Sequence, residues 1–120
     1  MKKLTILLAI AVLGMLVGGT VPAQAEDMDS CSHEATIQSL RECVQHAALE
    51  GHIDDATIAQ SLFAKLDAAQ AALDRGQPAV AVQILQAFIY EVQAQAGQHI
   101  DAAHAAHMIM HAQQVIAALQ

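Results

Sequence analysis

The sequence predicts an all-α fold, an antiparallel up-down-up-down four-helix bundle built from two helical hairpins. Three observations carry that prediction. Alanine, the residue with the highest helix propensity, fills 22 of the 95 positions after residue 25. Apolar residues recur at spacings of three and four in four separate stretches, the period of an amphipathic helix. Glycines and acidic residues punctuate those stretches, leaving connections of about two to six residues, short enough to force successive helices antiparallel.

The chain opens with Met1-Lys2-Lys3, an apolar run from Leu4 to Val17, and small residues ending in Ala23-Gln24-Ala25. A basic start, a short apolar stretch and an A-x-A site make an export signal, with cleavage expected after Ala25. The run is shorter than the ~20 apolar residues of a membrane span, and no Cys closes it to take a lipid anchor. Residues 26–120 then carry three Lys and Arg against twelve Asp and Glu, a net charge of −9. Such a surface repels phosphate backbones and anionic bilayers, so neither nucleic acid nor, after cleavage, a membrane is an expected partner. The expected location is outside the cytoplasm, in a periplasm or the medium.

After an acidic lead over 26–33, Ile37, Leu40, Val44, Ala47 and Ala48 mark the first helix of a domain over 34–120, and Gly51 stops it. Asp54 or Asp55 suits the cap of a second helix with a core stripe of Ile58, Leu62, Leu66, Ala69 and Leu73, Phe63 beside it. Gly76 stops that one. The third helix starts at Pro78, where a missing N–H costs nothing, and ends at Gly97. Ala81, Ile84, Leu85, Phe88 and Val92 form its stripe. Val82 and Ile89 widen it so far that this helix is expected at the centre of the bundle; any part left uncovered would be a patch of Val82, Ile89 and Tyr90. Asp101 caps a fourth helix with Ala105, Ile109, Ala112, Ile116 and Leu119 facing inward. Glu34, Glu42, Glu50 and Glu91 read as solvated.

The two halves echo each other. Gly51-His52-Ile53-Asp54 and Gly97-Gln98-His99-Ile100-Asp101 both place His-Ile-Asp between a glycine stop and the next helix, with Ile53 and Ile100 able to staple the first turn. Ala64-Lys65-Leu66-Asp67-Ala68-Ala69-Gln70-Ala71-Ala72-Leu73, Gln86-Ala87-Phe88-Ile89, Val92-Gln93-Ala94-Gln95-Ala96-Gly97 and Ala112-Gln113-Gln114-Val115-Ile116 together resemble the bacterial FIMAH domain. The resemblance runs from about Leu40 to Leu119, and Phe-Ile-x-x-Val-x-Ala-x-x-Gly is its most specific piece. It implies a small helical module of secreted bacterial proteins and brings no catalytic residues. The histidines of the last helix stand where the family leads one to expect alanine or leucine.

His104, His107 and His111, at i, i+3 and i+7, project from one side of the last helix. Imidazoles one turn apart can share Zn²⁺, Cu²⁺ or Ni²⁺. Met-Ile-Met lies between His107 and His111 in place of the glutamate that makes such a pair hydrolytic. Bundle topology should gather His46, His52, His99 and His104 at one end, so His99 is a further candidate ligand, and clustered imidazoles would respond to mild acid. Asp54, Asp55 and Asp101 are accounted for as helix caps. With no nucleophile–base pair, phosphate loop or paired carboxylates, no enzyme and no required cofactor are expected. The expected role is an exported, non-catalytic binding or scaffolding module for a protein partner or a second copy; the alternative is a metal-binding or buffering protein built on the histidine stripe.

Cys31 and Cys43 are the only cysteines. In one continuous helix they would stand ~18 Å apart, beyond bonding reach. Pairing requires a lead-in that bends over Ser32 to Thr36; metal ligation and intermolecular pairing are the other options.

Overall fold

The computed structural model describes residues 31–120; the expected export signal over 1–25 and the start of the acidic lead fall outside the described residues. Four helices follow in order: α1 (Ile37–Leu49), α2 (Ala56–Asp74), α3 (Pro78–Gln95) and α4 (Ala102–Leu119). Among the described residues there is no strand, and the helices pack into an all-α four-helix bundle.

Local chemistry sets the boundaries. Thr36 Oγ1 accepts the Ser39 amide at 3.1 Å and starts α1. Of the two candidate caps for α2, Asp55 serves, its Oδ1 accepting the Thr57 and Ile58 amides at 2.8 and 3.2 Å. Asp54 turns to His99 instead. Pro78 opens α3 without a side-chain cap, and Asp101 caps α4 through the His104 amide at 3.2 Å. Gly51 and Gly76, with φ of +85° and +76°, close α1 and α2. In each case the next residue's amide reaches back five positions, His52 to Ala47 and Gln77 to Ala72, both at 2.9 Å. That closure requires a left-handed residue, which only glycine adopts without strain. Gly97 is also left-handed but ends α3 differently: its N–H bonds forward to the Ile100 carbonyl at 2.8 Å, while the Ile100 N–H returns to Gln95 at 3.0 Å. The tight curl drops Ile100 into the core, where it is fully buried.

Each helix packs closely on two neighbours in a closed cycle, α1 on α2, α2 on α3, α3 on α4 and α4 on α1, whereas the Cα atoms of the diagonal pairs stay more than 8 Å apart. Thus α3 occupies one corner of a ring, not its centre. Its wide apolar stripe serves two flanks, with Ala81, Leu85, Phe88, Ile89 and Val92 inside and Val82 and Ile84 half-buried at the edges. The expected patch does not form as drawn, because Ile89 is 2 % exposed while Tyr90 is 62 % exposed.

Two other faces are rotated from the sequence reading. On α2, Ala59 and Ala72 take inner positions while Ile58 and Leu73 pack at the margin. On α4, Met108 and Val115 point inward and Ile109 and Ile116 flank them. That helix is apolar around much of its circumference, so period alone does not choose the inner face; packing does. The shift is about half of the 100° step between residues, so Ala105 and Ala112 stay inside while His111 enters the core at 3 % exposure. Glu91 is also not free in solvent: it is half-buried and accepts from Lys65 Nζ and Ser61 Oγ, both at 2.9 Å, joining α3 to α2. Between α1 and α2, Arg41 reaches Asp67 at 2.7 Å and lies 4.9 Å over the Phe63 ring. That hydrogen bond holds the Asp67 carboxyl below the usual carboxylate range.

Candidate functional site: the histidine-rich end and the pinned lead-in

The connection between α1 and α2 lies against the connection between α3 and α4. Asp54 donates its amide to the His99 carbonyl, and Asp101 donates its amide to the His52 carbonyl, both at 2.9 Å. The two His-Ile-Asp triplets therefore exchange equivalent bonds about Ile53 and Ile100, which pair as an isolated antiparallel bridge. An adjoining groove of about 300 Å³ is lined by His52, Asp54, His99, Asp101 and the backbone of both connections.

The side chains of this clasp form imidazole–carboxylate contacts and a ring stack. His99 Nδ1 stands 2.8 Å from Asp54 Oδ1, and His46 Nε2 3.3 Å from Glu50 Oε2. The His52 ring stacks on His104 at 3.7 Å between centroids, with 14° between the planes. His104 Nδ1 is 2.9 Å from Asp101 Oδ2, the oxygen that also accepts the His104 amide. These two hydrogen bonds from His104, the side-chain one first, hold the Asp101 carboxyl below its ordinary range. Ligand-competent atoms of His52, Asp101 and His104 lie within 4.8 Å of one another.

The other histidines gather around the start of α1. Cys31 and Cys43 stand in disulfide geometry, with sulfurs 2.08 Å and Cα atoms 5.0 Å apart. The lead-in bends to allow it, and two side chains pin the bend. Ser39 Oγ donates to the Ser32 carbonyl, and His111 Nε2 to the Glu34 carbonyl at 2.7 Å. A carbonyl only accepts, so the His111 proton is on Nε2; Nδ1 is then a bare acceptor, buried without a hydrogen-bond partner. Burial pushes the His111 pKa down, outweighing the Glu34 carbonyl, which favours the charged ring. His33 lies beside this pair, its centroid 4.8 Å from His107 and 5.6 Å from His111.

The structure thus divides the sequence-level candidates between two places. His104 belongs to the clasp with His52 and Asp101, whereas His107 and His111 lie with His33 near the disulfide. His99 is in the clasp but engages Asp54. Sequence reasoning passed over His33, which the disulfide positions, and gave Asp101 only a capping role. The repeated His-Ile-Asp triplet was the available signal for the clasp.

The FIMAH domain family matches residues 37–117, from the first residue of α1 almost to the end of α4. The chain belongs to the FIMAH domain family. Comparison with curated proteins and with solved structures returns no match. The FIMAH match reaches all four helices, so the clasp together with His107 and His111 stands on the family's framework, while His33 and Cys31 belong to a lead-in ahead of the match that the disulfide ties on.

Proposed function

We propose that this FIMAH protein is an exported, non-catalytic binding module that engages a protein partner or a second copy through the polar face around the clasp. The observation that carries this reading is that the family match takes up nearly the whole described domain. The folded part is the module itself, and its apolar stripes are spent on internal packing. What it offers outward at the clasp end is an open groove edged by partly exposed imidazole–carboxylate pairs. Such pairs suit directional polar recognition more than chemistry, which requires groups shielded from water. The basic-apolar-small N-terminal pattern and the paired cysteines support an oxidising location outside the cytoplasm. A metal-holding role on the single stripe of His104, His107 and His111 finds less support, since His104 faces His52 and Asp101, and His111 is committed to Glu34.

The test is light scattering on the purified protein together with affinity capture from the exported fraction, using wild type and an Asp54→Ala, His99→Ala bait. A dimer or a retained protein that is lost with the double variant supports the reading. A strict monomer that retains nothing sinks it. N-terminal sequencing of the exported protein should begin at Glu26.

A further inference from the structure

We infer that His52, Asp101 and His104 form a binding site for one divalent transition-metal ion that bridges the two helical hairpins. Three observations converge on it. The donor set, two imidazoles and one carboxylate, suits Zn²⁺, Cu²⁺ or Ni²⁺ and disfavours Ca²⁺ and Mg²⁺, which take oxygen ligands. The spacing is close: two donors each ~2.0–2.1 Å from a tetrahedral ion are ~3.4 Å apart, and His104 Nδ1 and Asp101 Oδ2, separated by 2.9 Å, need to open by only about half an ångström. The ion takes the place of the Nδ1 proton between these two atoms, and in the neutral ring that proton moves to Nε2, so His104 binds as a neutral imidazole. Asp101 has two carboxylate oxygens and can keep the α4 cap with one of them.

The third observation is that the ligand-bearing backbone is already fixed. Asp101 donates its own amide to the carbonyl of His52, so two of the three ligands come from residues hydrogen-bonded to each other. His104 follows one turn later on the same helix. The largest movement is that of the His52 ring, from stacked on His104 to lone pair toward the ion, with a smaller turn of the Asp101 carboxylate. At 34 % side-chain exposure the His52 ring has room to do so. Three protein ligands leave a further coordination position open to water or to a donor from a partner. The Cys31, His33 and Cys43 group is the other compact set of ligand-type side chains among the described residues, but its sulfurs are paired with each other.

Tag-free protein with its disulfide intact is titrated with ZnCl₂ by calorimetry, and its melting temperature is followed with and without the metal. One ion should bind per chain, and the melting temperature should rise. His52→Ala and His104→Ala should each weaken binding by at least about tenfold, as should Asp101→Asn, which preserves the cap. His107→Ala should bind like wild type. Circular dichroism without metal separates lost binding from lost folding; where an alanine variant unfolds, the glutamine variant replaces it. The inference is overturned by no Zn²⁺ binding tighter than about 100 μM, by a His52 variant that folds and binds like wild type, or by equal loss in His107→Ala.

Discussion

Replacing both Cys31 and Cys43 by serine should lower the melting temperature by a margin set by loop closure. The bond joins positions 12 apart. In the chain-entropy model a loop of that size restricts the unfolded chain by about 3 kcal/mol at 25 °C. For a domain of about 90 residues each kcal/mol corresponds to roughly 4–8 °C, giving a drop on the order of 12 °C or more. The folded state should survive, because Ser39 and His111 still hold the lead-in through the Ser32 and Glu34 carbonyls. The assay is thermal unfolding by circular dichroism, with and without reductant. Wild type should melt well above the variant when oxidised and close to it when reduced. If reductant leaves wild type unmoved, or the oxidised proteins melt within about 2 °C of each other, the loop-closure reasoning fails.

Acid should destabilise the fold through His111. Its native pKa is lowered, so the unfolded chain binds the proton first, and stability falls as pH drops through the unfolded value near 6.5 toward the native one. Denaturant melts between pH 8 and 5 should show this slope, and it should flatten in His111→Gln. Asp55→Ala should cost about 1 kcal/mol by removing the α2 cap, whereas Asp54→Ala should cost less than about 0.5 kcal/mol; urea unfolding of the two variants distinguishes cap from neighbour. Glu91→Ala should cost about 1 kcal/mol, since it strands a part-buried Lys65 and Ser61. A double-mutant cycle with Lys65→Ala should return a coupling below about 1 kcal/mol, because Lys65 remains about one-third exposed.

The parts of the fold that depend on single residues were legible in the sequence. Pro78, Gly51 and Gly76 act within one turn of chain, where stereochemistry and one hydrogen bond decide the outcome; the α2 cap was legible as Asp54 or Asp55, and only the structure chooses Asp55. Phe88 and Val92 were also legible, because they fall in the middle of the wide α3 stripe, where both are fully buried. Rotation of α4 was not legible: with Met108 and Ile109 adjacent, and Val115 and Ile116 adjacent, two faces compete at nearly equal hydrophobicity. The choice rests on long-range contacts, among them the bond from His111 to a carbonyl 77 positions away. The candidate site followed the same rule. Asp101 was recognisable as a cap, but its closeness to His52 depends on two connections meeting in space. The family resemblance carried the architecture without bearing on either histidine group.

The clasp has a consequence for how the two halves belong together. Each His-Ile-Asp triplet supplies both parts of the bond it shares, an Asp amide to give and a His carbonyl to receive. A hairpin with one triplet is therefore complementary to another of its own kind, as in a two-fold dimer. The short link between α2 and α3, residues 75–77, has its own closure at Gly76 and joins the two halves covalently. It acts as a tether that raises the effective concentration of one hairpin for the other. In that sense the molecule is a dimer of similar halves joined into one chain.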